Sequence, residues 1–153
     1  MTRNGWIILA TVGSLSLMLG AWGFEYIGGY PPCKLCYWQR WPHLAAIAIG
    51  VIALLGLPWL AWFGAFAAAT TSGIGIYHTG VERAWWQGPT SCTSSGIDLG
   101  AMTGADLLAI EGPKLVLCDE VAWALFGMSM ASWNAVFSGI LLIFWLRAAR
   151  SPF

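Results

Sequence analysis

The residues of this chain best suited to chemistry are four cysteines: Cys33, Cys36, Cys92 and Cys118. The first two form a Cys-x-x-Cys pair within the stretch PPCKLCYWQR. Such a pair can hold a metal ion, staple the chain or carry out redox chemistry. Arg40 follows Cys36 by four residues, so a helix would place both side chains on one face.

Ring size helps to separate these roles. A Cys33–Cys36 bond closes a very small ring and constrains the unfolded chain little. A Cys92–Cys118 bond closes a loop with residues 93–117 between its ends, which the chain-entropy model values at about 3–4 kcal/mol. The close pair therefore favours redox chemistry, whereas the wider pair is compatible with a structural disulfide. Two structural disulfides stay open as an alternative. So does a zinc site, although the wider pair lacks the close spacing of structural zinc ligands.

The Cys-x-x-Cys pair is predicted to lie at the start of a helix. Pro31 and Pro32 cannot continue a helix and favour its first positions. A thiolate at a helix N-terminus is stabilised by unpaired N–H groups and by the helix dipole. With Arg40 on the same face, we expect Cys36 to be the better-stabilised thiolate and Cys33 the more exposed thiol.

His78 is predicted to lie near this pair. Cys36 and His78 stand at equal distances along the chain from a turn at Leu57, so antiparallel helices would bring them to a similar depth. Arg40 would lie one turn deeper. A hydrophobic acceptor with carbonyl oxygens, such as a quinone, could then accept hydrogen bonds from Arg40 and His78. In the plainer interpretation, Arg40 is an anchor at a span end and His78 caps a span at the membrane interface.

The composition predicts an integral membrane protein. Of the 153 residues, 58% are hydrophobic and only 9% are charged, against a usual charged fraction of about 25%. The net charge is zero with no basic block, which argues against nucleic acid as a partner. Eleven tryptophans suit a protein with two membrane interfaces.

The predicted fold class is an all-α four-transmembrane-helix bundle, formed by residues 1–153 as a single domain. About 20 apolar residues cross a bilayer, and glycine and proline at residues 56–58 divide the long middle run. The predicted spans cover residues 5–26, 37–55, 59–79 and 123–146, with loops at residues 27–36 and 80–122. The second loop is long, and residues 103–112 are a candidate for a short helix on the membrane surface. Small residues at every fourth position predict close packing of the third and fourth spans. They are Gly64, Ala68 and Ser72, and Gly127, Ala131, Ala135 and Gly139.

The distribution of charge predicts the orientation. The terminal segments carry three arginines and no acid, whereas the loops carry all seven acids and four bases, Lys34, Arg40, Arg83 and Lys114. Arg83 and Lys114 lie in the long loop, where the bias of basic residues weakens. The positive-inside rule then places the termini in the cytoplasm and all four cysteines in the outer compartment, where disulfides persist. Glu25, Glu82 and Arg83 are interpreted as solvated interface charges.

The chain resembles the disulfide bond formation protein B (DsbB) family. The resemblance rests on CKLCYWQR, on YHTGVERAWWQGPTSC and on LCDEVAWALFGMSMASWN, and with four spans and two outward loops it covers essentially the whole chain. It implies a multi-pass protein of the bacterial inner membrane that keeps the periplasm oxidising by passing electrons to quinone, either ubiquinone or menaquinone. The implied partner is a soluble periplasmic DsbA-like protein with a thioredoxin fold.

The resemblance also implies a role for each cysteine. The partner's reduced thiol would attack Cys92 in a Cys92–Cys118 disulfide and release Cys118. Cys118 would then attack Cys33 of a Cys33–Cys36 disulfide, and the freed Cys36 thiolate would reduce quinone. Arg40 would lie beside that quinone, as would His78.

Two other functions stay open. One is an outward-facing thiol reductase or an epoxyquinone-reductase-like bundle, although such proteins usually carry their Cys-x-x-Cys late in the chain. The other is a disulfide-stapled or metal-binding structural membrane protein without redox turnover.

Overall fold

The computed structural model describes residues 1–89 and 116–151 and is mostly helical. Four long helices are α1 (Arg3–Trp22), α2 (Lys34–Leu54), α3 (Ala61–Glu82) and α4 (Met130–Arg150). Shorter elements are a π-helical turn (Gly23–Ile27), a 3-10 turn (Pro58–Leu60) and two antiparallel strands, β1 (Ala124–Leu125) and β2 (Met128–Ser129). The candidate helix at residues 103–112 lies outside the described residues.

The helix boundaries follow from local sequence. Cys33 is the N-cap of α2, in extended conformation directly after two prolines, and this confirms the predicted helix start. Gly56 has a φ of +123°, a value that suits glycine, and it separates α2 from the 3-10 turn that leads into α3. The predicted fourth span starts earlier than α4, because β1 and β2 form a hairpin whose turn contains Gly127 at φ +74°.

The four helices run antiparallel in sequence order, which gives the bundle two distinct ends. At one end the Arg3 guanidinium donates hydrogen bonds to the backbone oxygen of Ser151, so the start of α1 lies beside the end of α4. The opposite end gathers the start of α2, the end of α3 and the start of α4. The cysteines of the described chain lie at that opposite end, which we call the thiol end.

Helices α3 and α4 approach each other closely. A Cβ built on Gly75 would lie 3.0–3.1 Å from backbone atoms of Ala131 and Ala135, and the Ser72 hydroxyl donates to the Ala135 carbonyl at 2.9 Å. This confirms the close packing predicted from small residues. Gly127 was among the small residues predicted to pack between the helices, but it lies in the hairpin turn, outside α4.

Three segments of the described residues are long and apolar enough to cross a membrane: Arg3–Ile27, Pro58–Glu82 and Met130–Arg150. Helix α2 has 21 residues but is not among them. Its first half carries Lys34, Gln39, Arg40 and His43, which lower its hydropathy. That α2 is a fourth span stays a prediction.

Candidate functional site

The Cys-x-x-Cys pair lies at the first turn of α2. The Cys33 sulfur accepts a hydrogen bond from the Cys36 backbone N–H at 3.3 Å and donates its own proton to the Cys36 sulfur at 3.0 Å. Both thiols precede Tyr37, where the predicted second span begins. The bond from Cys33 lowers the pKa of Cys36, whereas the same bond together with burial raises the pKa of Cys33 to about 12. Cys36 is therefore the more acidic thiol of the reduced pair, as the sequence predicts.

The expected exposure of the two thiols was wrong. Cys33 is only 5% exposed and Cys36 is partly exposed. As the N-cap, Cys33 points its sulfur back over the end of the helix, into a cluster with Leu35, Val81 and Cys118. Cys36 is the more exposed of the two on the wall of a cavity that both thiols line. The more accessible thiol of the pair is thus also the more acidic one.

His78 lies beside the pair, as the sequence predicts. Its Nε2 is 3.6 Å from the Cys33 sulfur and 3.8 Å from a Glu82 carboxylate oxygen. Only 2% of the residue is exposed. Helix α3 therefore delivers an imidazole to the sulfur of Cys33 and not directly to that of Cys36.

A third cysteine reaches the same place from the second loop. Cys118 is fully buried and packs in one cluster with Cys33 and, at its edge, Cys36. Cys92 lies outside the described residues, so the Cys92–Cys118 pairing stays a prediction.

Arg40 is held at the side of the site by an acid that the sequence did not assign to it. Its guanidinium makes an ion pair with Glu25 and lies 5.1 Å from the centre of the Tyr37 ring. The Glu25 side chain is 14% exposed, so its interpretation as a solvated interface charge was wrong. The π-helical turn at the end of α1 positions Glu25 for this contact, and such turns are frequent at functional sites.

Glu82 is the second acid that the sequence placed in solvent and that the structure buries. Its side chain is 6% exposed, and it accepts a hydrogen bond from the Ser129 hydroxyl. Ser129 is the N-cap of α4, so Glu82 connects the ends of α3 and α4 directly behind His78. Arg83 is exposed and stacks over Trp85, in keeping with an interface charge.

A cavity of about 380 Å³ opens beside the thiol pair, a size within the usual range of ligand pockets. Polar and charged groups line one side: Cys36, Gln39, Arg40, His43, His78, Glu82 and Asn134. Apolar and aromatic groups line the rest, among them Leu17, Phe24, Trp123, Trp133 and Phe137. Such a cavity can admit an apolar ring that carries hydrogen-bonding oxygens. Cys36 and Arg40 both lie on its wall.

A buried series of hydrogen-bonded polar side chains beside the thiols was not predicted from the sequence. The Asn134 amide donates to the Gln39 side-chain oxygen at 2.7 Å, and the Gln39 amide nitrogen is 2.9 Å from His78 Nδ1. On its other side, the Asn134 oxygen is 3.0 Å from His43 Nε2. Gln39 and His43 are four residues apart on α2, and Asn134 is a polar amide within a long uncharged run. Polar side chains at such positions in apolar helices signal function, and this signal could have found them.

The thiols and His78 also have the spacing of a metal site. The ligand atoms of Cys33, Cys36 and His78 all lie within 4.8 Å of one another. A histidine that binds metal through one nitrogen donates the N–H of the other to an acceptor. Here the second nitrogen of His78 meets the Gln39 amide nitrogen, which is a donor. The surroundings of His78 therefore do not fit a resident metal ion.

Comparison with known protein families and sequences gives matches over most of the chain. The family model for disulfide bond formation protein DsbB matches residues 3–148. A disulfide bond formation protein B of Dechloromonas aromatica is 31% identical, over 90% of this chain and 87% of its own. One from Albidiferax ferrireducens is 28% identical, over 96% and 95%, and disulfide bond formation protein B 2 of Pseudomonas aeruginosa is 31% identical, over 86% and 82%. No solved structure matches the chain significantly.

Proposed function

Because this chain belongs to the DsbB family of disulfide bond formation proteins, we propose that it is a quinone-coupled protein-disulfide oxidoreductase. It re-oxidises a periplasmic thioredoxin-fold donor of the DsbA kind and passes the electrons to ubiquinone or menaquinone. The observation that carries the proposal is the contact between a polarised thiol pair and an apolar cavity whose wall holds Cys36 and Arg40.

Electrons enter at the second loop. The partner's thiolate attacks Cys92, forms a mixed disulfide and releases Cys118 as a thiolate. Cys118 then attacks Cys33, which breaks the Cys33–Cys36 bond and leaves the electron pair on Cys36. The burial of Cys118 against Cys33 supports this step, because thiol–disulfide exchange needs the attacking sulfur to reach the disulfide.

Electrons leave through Cys36. The Cys36 thiolate faces the cavity, where the Arg40 guanidinium can stabilise negative charge on a carbonyl oxygen. The partner's second thiol displaces Cys92 and leaves as a disulfide, and Cys92 then displaces Cys33 from Cys118, which restores the Cys92–Cys118 bond and leaves Cys33 and Cys36 both reduced. Quinone, when bound, would take up two electrons and two protons, which balances the conversion of these two thiols into the Cys33–Cys36 disulfide. The pKa of Cys36 below its ordinary value supports its role as the electron donor, because it raises the fraction of the sulfur that is ionised.

We assign the protein to the bacterial inner membrane, with cytoplasmic termini and periplasmic cysteines. Three segments suited to crossing a membrane support the membrane location. The orientation rests on the arginines of the terminal segments. It also fits the bundle, since Arg3 and Ser151 meet at the end opposite to the cysteines.

The test is oxidation of a reduced thioredoxin-fold partner by purified protein and ubiquinone. We expect turnover with the native chain and none with Cys36→Ser. Thr70→Ser, at a half-buried position of α3 that does not line the cavity, is the control and should retain normal turnover. Normal turnover of Cys36→Ser would refute the assignment of Cys36 as electron donor.

The spacing of Cys33, Cys36 and His78 gives the metal-binding structural protein one supporting observation. It predicts stoichiometric zinc in protein purified without chelator, and thiols that resist oxidation by quinone. Quinone-dependent loss of free thiols from metal-free protein would exclude it.

A further inference from the structure

The hydrogen bonds behind the site have a direction that can be deduced from backbone carbonyls, which only accept. The Thr71 hydroxyl donates to the Gln39 carbonyl at 3.0 Å. Its oxygen is therefore left to accept, and the Asn134 amide nitrogen donates to it at 3.1 Å. The same nitrogen donates to the Gln39 side-chain oxygen. The orientation of the Asn134 amide is thus fixed.

The orientation of the Gln39 amide follows from that of Asn134. Its oxygen accepts from Asn134, so its nitrogen lies on the other side, where it donates to the Leu35 carbonyl at 3.3 Å and meets His78 Nδ1 at 2.9 Å. Nδ1 must then be the acceptor. In neutral His78 the single ring proton is therefore on Nε2, the nitrogen 3.6 Å from the Cys33 sulfur.

These bonds form one series, the donor chain, in which each group donates a hydrogen bond to the next. It runs from Asn134 to Gln39, to His78, to the sulfur of Cys33 and finally to the sulfur of Cys36. Hydrogen bonds in series polarise one another. Cys36 is the last acceptor, and it is the more exposed of the two thiols on the cavity wall.

We propose that Gln39, held by Asn134, is a positioning residue that fixes the His78 proton on Nε2 and so directs the negative charge of the dithiol onto Cys36. This inference deepens the proposed function, because it explains why Cys36 rather than Cys33 delivers the electrons. Gln39 touches neither thiol and acts only through His78.

Other charges also bear on Cys36, and the test must separate them from the donor chain. Glu82 approaches from α3, Arg40 with its partner Glu25 lies on the cavity wall, and Cys118 packs against the pair. Glu120 lines the same cavity. Substitutions at Gln39 leave all of these groups in place.

The first readout is the tautomer of His78, measured by nitrogen NMR on the full-length reduced protein at a pH where the imidazoles are neutral. The chain has only two histidines. His43 Nε2 faces the Asn134 oxygen, so we expect both rings to carry the proton on Nε2. A native His78 with its proton on Nδ1 would overturn the proposal without any substitution.

The second readout is the alkylation rate of Cys36 in the reduced protein, resolved by mass spectrometry of peptides. In Gln39→Glu the carboxylate accepts from Nδ1, so the proton of His78 moves to Nδ1 and the donor chain is broken. We expect Cys36 alkylation near neutral pH to fall by about tenfold, the scale of a lost hydrogen bond to a charged group. Gln87→Glu, the same change at the other glutamine of the chain, which is exposed, should leave the rate unchanged.

A neutral variant separates the donor chain from the added charge. Gln39→Met removes the donor without adding an anion, so His78 should show both tautomers and Cys36 alkylation should lie between the native rate and that of Gln39→Glu. If Gln39→Met matches the native protein in both readouts, the proposal is wrong. Neither readout needs quinone or a partner, so failure here is distinct from failure of the proposed function.

Discussion

At the scale of single residues, one hydrogen bond shifts the pKa values of two cysteines, three positions apart, in opposite directions. The Cys33 proton, donated to the Cys36 sulfur, stabilises the Cys36 thiolate and is itself harder to remove. A disulfide exchange site needs this asymmetry, because one sulfur must be ionised while the other is attacked.

The asymmetry predicts different pH profiles for alkylation of the reduced protein. Initial alkylation of Cys36 should rise through a midpoint below the ordinary thiol value of about 9, whereas Cys33 should stay unlabelled until the pH approaches 12. Cys33→Ala removes the donor, so the midpoint of Cys36 should move to higher pH. Residue-resolved mass spectrometry measures both profiles, and equal profiles for the two thiols would contradict the account.

Arg40 allows a second prediction at this scale. Arg40→Met should lower kcat/KM for quinone by about tenfold or more, because a hydrogen bond to developing charge is lost. The control is Arg83→Met, which removes an exposed guanidinium at the same end of the bundle. Steady-state kinetics with varied quinone would decide the point, and an unchanged kcat/KM in Arg40→Met would show that the guanidinium does not act on the acceptor.

Residue types in the sequence predicted the members of the site but not all of their partners. The position of Cys33 after two prolines gave the helix start, and equal distances from Leu57 placed His78 near the pair. Nothing local assigned Glu25 to Arg40, because that contact joins the end of α1 to α2 across 15 residues. The burial of Cys33 was also missed, since it depends on Cys118 from the second loop.

At the scale of elements, the approach of α3 to α4 positions His78 and Asn134 on opposite sides of Gln39. Glycine at position 75 is what allows this approach, because any Cβ there meets the backbone of α4. The α3–α4 contact therefore determines whether the donor chain can form.

Gly75→Val should destabilise the bundle by about 1–3 kcal/mol, the usual cost of overpacking. Gly73→Val is a matched control on the same helix, because a Cβ at Gly73 meets nothing within 4 Å. Denaturation of both variants in detergent, followed by loss of helicity, measures the difference. Equal stability of the two variants would mean that the close approach at Gly75 is not needed.

The helices were largely predictable, and their ends were less so. Glycine and proline at residues 56–58 marked the break between α2 and α3, and small residues marked the α3–α4 contact. The start of α4 at Met130 was missed, because the residues before it are as apolar as a span. A turn with Phe126 and Gly127 at positive φ makes them a hairpin instead.

At the scale of the whole molecule, the bundle separates its termini from its thiols. The proposed four spans would place both termini on one side of the membrane and the thiol end on the other. A fluorescent protein that folds only in the cytoplasm, fused after Arg150, should therefore fluoresce in a bacterial host. A fusion within the second loop should not, and the reverse pattern would contradict the proposed orientation.

The central claim is that electrons pass from partner thiols through this chain to quinone. The most direct measurement is an anaerobic reaction of purified protein with a reduced thioredoxin-fold partner and ubiquinone, in which quinol and partner disulfide are both counted. The account predicts one quinol per disulfide, and neither product when any of Cys33, Cys36, Cys92 or Cys118 is serine. Partner oxidation without matching quinol, or undiminished turnover in the Cys36→Ser variant, would contradict it.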